Sequence, residues 1–172
     1  MDVDEPLRAA LEQAFNRLLA DNRAALSRLA ASYAGPGDRD DLLQEIAIAL
    51  WRALPKFRGE CSERTFLFRI AHNRCITHIS KRRPTVSLDD ADIDPEAPTA
   101  AADEMIAVQE DRERLLRAVQ RLPLIYREVV VLLLEGLDYQ QIADVVGISE
   151  GNVGVRLTRA RQQLKSLIEG RP

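Results

Sequence analysis

The stretch LDYQQIADVVGISEGNVGVRLTRARQQLKSLI, residues 137–168, constrains this chain more than any other. Its apolar spacing predicts a short helix from Tyr139 to Val146, a stop at Gly147 and a longer helix after Ser149. Glycine takes the left-handed conformation that closes a helix without a Cβ penalty. A serine hydroxyl accepts from a free backbone N–H two or three residues further on. At about 100° per residue, Val153, Leu157, Ala160, Leu164 and either Leu167 or Ile168 fall on one stripe of the second helix. Asn152, Val155, Arg156 and Arg159 flank that stripe on one side, Arg161 and Lys165 on the other. A helix that enters a major groove needs donors for base edges and phosphates beside an anchored apolar seam. Short helix, Gly turn and basic helix together make a helix-turn-helix. A solvated amphipathic helix would share the stripe, but not the preceding helix, turn and cap.

The rest of the chain must supply a core for that unit. With 172 residues, 46% of them apolar and only 5% aromatic, the composition points to an all-α protein with room for two small helical domains. No apolar run approaches the roughly 20 residues that span a bilayer, so no membrane insertion is expected. The acidic start MDVDEPL is not a secretory leader, which opens basic and turns apolar. The chain is expected in the cytoplasm. A net charge of −3 conceals a segregated distribution. Residues 52–83 hold nine basic side chains against Glu60 and Glu63, whereas residues 89–113 hold ten acidic ones against Arg112 alone. Phosphate responds to the local patch.

In chain order, residues 5–33 carry apolar positions at helical spacing and stop at Gly35-Pro36-Gly37. Asp38 then reads as the cap of a helix that runs to Leu54 and ends before Pro55. Leu42, Ile46, Ala49 and Ala53 form its core stripe. Asp41, Gln44, Glu45, Ile48 and Arg52 form a second face, with Trp51 beside it, suited to docking another protein. Trp51 has an alternative place under the N-terminal helix. A loop with Gly59 leads into a helix from Ser62 or Thr65 to Lys81, and Pro84 follows. The Asp- and Pro-rich segment 87–103 reads as a flexible acidic linker. It separates a domain at 1–86 from one at 104–172. The second domain is read as four helices: 104–122, 124–135, and the two of the opening motif. Val129 to Leu134 are expected to be buried on most sides.

Catalytic and metal readings find little support. No phosphate-cradling glycine loop, HExxH or nucleophile elbow is present, so an enzyme is not expected. Cys61, His72, Cys75 and His78 invite a metal, but on a helix His72 and His78 are about 120° apart, poor for joint ligation. Neither metal nor cofactor is expected, and both cysteines should be reduced thiols.

The residues DRDDLLQEIAIALWRALPKFRGE, TFLFRIAHNRCITHISKRR and LPLIYREVVVLLLEGLDYQQIADVVGISEGNVGVRLTRARQQL occur in that order. They resemble the two domains of the extracytoplasmic-function (ECF) sigma factors, members of the sigma-70 superfamily that give bacterial RNA polymerase its promoter specificity. The resemblance implies that the chain binds core RNA polymerase and directs initiation at promoter DNA. It assigns polymerase docking to Asp41, Leu42, Gln44, Glu45, Ile48 and Trp51. It places −10 contacts, including capture of a flipped base, at Arg58, Gly59, Glu60, Cys61, Ser62, Arg64 and Asn73. Extruding a base costs a few kcal/mol of unstacking. It places −35 contacts at Ser149, Gly151, Asn152, Val155, Arg156, Thr158 and Arg159. An anti-sigma factor is the further partner it implies. The chain departs from the family pattern at Phe66, commonly Trp, at Thr77, near which a carboxylate is usual, and at Gly154-Val155, often a basic residue and Ser. The competing reading is a free-standing helix-turn-helix transcriptional regulator. It leaves the basic stretch from Arg58 to Arg83 without a task.

Overall fold

Proline and glycine decide where the helices of this chain break. The computed structural model describes residues 4–82 and 104–169, so the acidic linker read at 87–103 lies outside the described residues. Helix α1 spans Asp4–Ala31 and α2 Arg39–Ala53, followed by a 3-10 turn at Leu54–Lys56. Helix α3 covers Glu63–Arg82, α4 Glu104–Arg121, α5 Leu124–Leu134, α6 Tyr139–Val146 and α7 Glu150–Glu169. Pro55 sits in the first turn of the 3-10 element, where its missing N–H removes no needed bond. Pro123 occupies the N-cap position of α5.

These helix ends are satisfied locally, though not always by the expected group. Asp38 takes the N-cap position of α2 without a side-chain capping bond. Its carbonyl accepts from the Leu42 N–H at 3.0 Å. Helix α1 closes two residues earlier than its apolar pattern, because the Ser32 hydroxyl donates to the Arg28 carbonyl and the N–H groups of Tyr33 and Ala34 turn back to Ala30. The first helix of the opening motif has a full capping box. Asp138 accepts from the Gln141 N–H at 2.8 Å, and Gln141 accepts from the Asp138 N–H at 3.0 Å.

Apolar faces place the core. Leu42, Ile46 and Leu50 of α2 meet Leu67, Phe68, Ala71 and Cys75 of α3, all without exposed surface. In the other half Val129 to Leu132 of α5 pack with Ile142 of α6 and with Val153, Leu157 and Ala160 of α7. Helix α5 is less enclosed than its composition implies, with Ile125 and Leu134 exposed. An 11-residue helix is about 16 Å long, and its neighbours cover only the faces they touch.

The two sets of buried side chains form one continuous cluster. Helix α3 lies against α6, and polar contacts reinforce the seam. Arg28 of α1 grips Glu135 with both arms of its guanidinium, Nε to Oε1 at 2.8 Å and Nη2 to Oε2 at 2.6 Å. Gln120 of α4 donates to the Ala31 carbonyl at 2.7 Å. Arg127 of α5 reaches the Gln120 and Leu122 carbonyls and lies over the Tyr33 ring. Burial pushes the Arg127 pKa down, partly opposed by Tyr33. The Arg28 pKa is raised, first by its hydrogen bond to Glu135.

Candidate nucleic-acid interfaces

Gly147 closes α6 at φ 78°, ψ 38°, a left-handed conformation that re-aims the chain into α7. The Ser149 hydroxyl then accepts from the Asn152 N–H at 3.3 Å, so the −35 candidate Ser149 is the helix cap. The predicted apolar stripe anchors α7. Val153, Leu157 and Ala160 are buried, Leu164 and Leu167 are half-buried, and Ile168 is exposed. Opposite that stripe, Gly151, Val155, Thr158, Arg159 and Gln162 border a shallow concavity together with Gly154. Asn152 is exposed beside them. Gln162 was missed from the sequence, although it stands one turn beyond Thr158 on the same face.

Two side chains of this face are partly used by the protein itself. Thr158 donates its hydroxyl to the Gly154 carbonyl at 2.9 Å. Arg156, half-buried, reaches the Ile125 carbonyl at 3.5 Å. Arg159 is the exposed guanidinium at the centre of the face.

The other candidate face gathers at the start of α3. Gly59 takes φ 74°, where any Cβ would be strained, and folds the loop back over the helix. Lys56, Phe57, Arg58, Glu60, Cys61, Phe66 and Arg69 line a pocket of about 270 Å³. Phe57 and Phe66 make its aromatic wall, with ring centroids 4.6 Å apart. Arg69 donates to the Cys61 sulfur at 3.2 Å. Lys56, Phe57 and Arg69 were not selected from the sequence. Arg69 was legible, since Phe66, Arg69 and Asn73 share one helical face at i, i+3 and i+7. Ser62 serves as the cap of α3, accepting from the Thr65 N–H at 3.0 Å.

Arg64 lies differently from its expected role. Its guanidinium donates to the Glu135 carbonyl and lies 5.3 Å from the centre of the Phe68 ring. It is therefore turned into the seam with the other half and away from the pocket, whose lining does not include it. Asn73 is exposed, and Thr77 donates its hydroxyl back to the Asn73 carbonyl at 2.8 Å. Cys75 lies in the core, and burial pushes its thiol up to about 12.

The candidate docking face of α2 divides by burial. Asp41, Gln44, Ile48 and Trp51 are exposed, and Glu45 is half-exposed with Lys81 at 3.9 Å. Leu42 has no exposed surface. It belongs to the core stripe with Ile46 and cannot itself touch a partner. Trp51 does both things the sequence left open: it packs edge-on against Phe15 of α1 at 5.3 Å and keeps 39% of its surface exposed.

Comparison with known proteins places these faces in a class. Residues 18–85 match the model of Sigma-70 region 2, and residues 112–164 that of Sigma-70, region 4. An all-helical chain carrying both regions in that order is a sigma factor, a subunit that directs RNA polymerase to promoters. The chain is 33% identical over 160 residues to the ECF RNA polymerase sigma factor SigM of Mycobacterium tuberculosis, covering 90% of this chain and 77% of that one. It is 29% identical over 168 residues to the ECF RNA polymerase sigma-E factor of Escherichia coli, with 92% and 88% covered. It belongs to the ECF sigma factors. Among solved structures, CnrH in complex with the cytosolic domain of CnrY is similar at 28% identity, with a TM-score of 0.70 over 98% of this chain and 99% of that one. The sigma factor RpoE of Bartonella quintana, in complex with the anti-sigma factor NepR, shares the fold at 23% identity and a TM-score of 0.69, with 91% and 98% covered.

Proposed function

We propose that this sigma factor works in the cytoplasm and grips a promoter at two points while docked on core RNA polymerase by α2. In this reading residues 1–86 form the domain that meets polymerase and the −10 element, and residues 104–172 the domain that reads the −35 element. No helix among the described residues is long and apolar enough to cross a membrane. The observation that carries the reading is a pair of separate exposed faces on a chain with both sigma regions. One is the basic, aromatic-walled pocket under Gly59, and the other is the Arg159 face of α7.

The pocket suits a base taken out of the stack. Phe57 and Phe66 offer an aromatic surface, and Arg58 and Arg69 offer cationic donors to bases or phosphates. Glu60 supplies an acceptor, which a purely phosphate-binding loop would not need. On α7, Arg159 is placed for a base-edge or phosphate contact, and Val155 for a thymine methyl. Asp41, Gln44, Glu45, Ile48 and Trp51 form the polymerase-facing surface, with Leu42 holding the helix in place from beneath. CnrH was solved with the cytosolic domain of CnrY and RpoE with an anti-sigma factor. These complexes support a protein inhibitor as partner here too. The chain itself performs no catalysis; the chemistry belongs to polymerase.

The test is in vitro transcription with core RNA polymerase and genomic promoter fragments. New transcripts sharing two sequence elements upstream of their starts are expected. Reversing Asp41 and Glu45 to Lys should weaken core binding on the order of tenfold. Absence of core binding by the wild-type chain would favour a regulator that meets DNA alone.

A further inference from the structure

The seam between residues 4–82 and 104–169 is held by more than apolar contact, and one of its polar contacts engages Arg64, a −10 candidate. Glu135, at the C-terminal end of α5, has only 3% of its side chain exposed. Both its oxygens are taken by Arg28, 107 residues away in sequence. Its backbone carbonyl accepts from Arg64, the −10 candidate at the start of α3. About two turns further along α3, His72 places Nε2 3.3 Å from Oε2 of Glu128, which also belongs to α5. A carboxylate so enclosed is stabilised only while its cation stays in place. The corner at Glu135 thus depends on the first half of the chain and in turn fixes Arg64.

Size argues that this arrangement cannot be the one that holds a promoter. A packed body of 172 residues has a radius of gyration of about 16 Å and a width of roughly 40 Å. Elements at −10 and −35 lie about 25 base pairs apart, roughly 85 Å along B-form DNA. A chain whose halves share one buried cluster cannot reach both.

We propose that the Arg28–Glu135 fork, with Arg64 on the Glu135 carbonyl, is a latch that keeps the free sigma factor closed, and that gripping a promoter requires it to open and release Arg64. The surface involved is the first half's own α1 and α3, and its partner is the α5–α6 corner of the same chain. The closure stands on the contacts alone; only its consequence for DNA rests on the function proposed above. Competition follows directly. Arg64 cannot hold the Glu135 carbonyl and a nucleic acid at once, so the affinity of the free chain for DNA is multiplied by the fraction of molecules that are open.

Small-angle scattering of the full wild-type chain, without polymerase, tests the closure itself. A radius of gyration of about 16 Å is expected, and a markedly expanded profile would overturn the latch whatever any variant does. Arg28→Ala should expand the chain while its helical circular dichroism is retained. It should also tighten binding of a random-sequence single-stranded oligonucleotide by about tenfold, as the open fraction rises. Arg28 is outside every docking and DNA-contact set, so this gain is not expected from losing a cation by itself. Should Arg28→Ala unfold, Glu135→Gln gives the same reading with the carboxylate's charge removed. A folded variant with unchanged radius and unchanged oligonucleotide affinity would refute the proposal. Transcription with core polymerase separates the two claims. Opening without any promoter-directed transcript would fault the sigma reading and leave the latch, whereas transcription from a wild-type chain that is already expanded would do the reverse.

Discussion

Helices α3 and α7 are built to one plan and used in two ways. Each is 20 residues long, and each is capped by a serine whose hydroxyl accepts an N–H three residues on. Each turns a polar face towards a candidate DNA element. In α7 the burial is confined to one narrow stripe, and Arg159 stays outside it. In α3 burial takes Thr65, Leu67, Phe68, Ala71, His72 and Cys75, and Arg64 is committed to the seam. A helix enclosed on several sides must share its polar residues with the fold. Substitutions in α3 should therefore register first as lost stability, and those in α7 as lost recognition.

The largest effect should come from Phe68→Ala. The ring is fully buried and carries Arg64 on its face, so truncation creates a cavity and frees the guanidinium. A loss of about 3–5 kcal/mol is expected in urea unfolding. A loss below 1 kcal/mol would mean that α3 is no more deeply embedded than α7, and the contrast would fail.

Alkaline pH should act through the same helix. The Cys75 thiol is pushed from its ordinary value near 9 up to about 12 by burial, and burial also raises the Tyr33 hydroxyl well above its usual range. Between those values the unfolded thiol has lost its proton while the folded one keeps it. Stability is therefore fully present below pH 9 and falls as pH rises towards 12, by up to roughly 4 kcal/mol from Cys75. Cys75→Ala should flatten part of that slope and leave the part due to Tyr33. Equal slopes in the two proteins would remove Cys75 from the account.

Much of this contrast could be read in the sequence for α7 and little of it for α3. The boundaries Tyr139 and Val146, the Gly147 stop, the Ser149 cap and the Val153, Leu157, Ala160 stripe all follow from local rules, and the structure reproduces them. Those rules concern residues within a turn or two of each other. Arg64 and Leu42 mark the limit of those rules, since the structure turns the first into the seam and the second into the core. The period of a helix tells which residues share a face, but not which face another helix will cover. Arg28 and Glu135, the two ends of the strongest polar contact in the seam, carry no local signal for each other. Arg69 differs again, since its spacing from Phe66 and Asn73 was visible and only its pairing with Cys61 was not.

On α7 the expected losses are smaller and of another kind. Arg159→Ala should leave unfolding within about 0.5 kcal/mol of wild type, because the side chain is exposed. It should weaken use of the −35 element by roughly 1–3 kcal/mol if the contact is bidentate to a base. Footprinting on a promoter found by transcription measures the second effect. A protein equally weak on every sequence would show that Arg159 holds a phosphate instead.

The smallest change should be a gain. Gly154 stands inside α7 with an ordinary helical backbone, and a Cβ there would meet only Cε2 of Tyr139, at 3.8 Å, an ordinary contact. Gly154→Ala should therefore stabilise the helix by up to about 1 kcal/mol. Gly154 also borders the concavity shared by Val155, Thr158 and Arg159. If promoter binding falls while stability rises, the glycine is kept for the approach of DNA. If both rise, the −35 face has room to spare, and sequence choice there comes from side chains such as Val155 and Arg159 and not from the glycine.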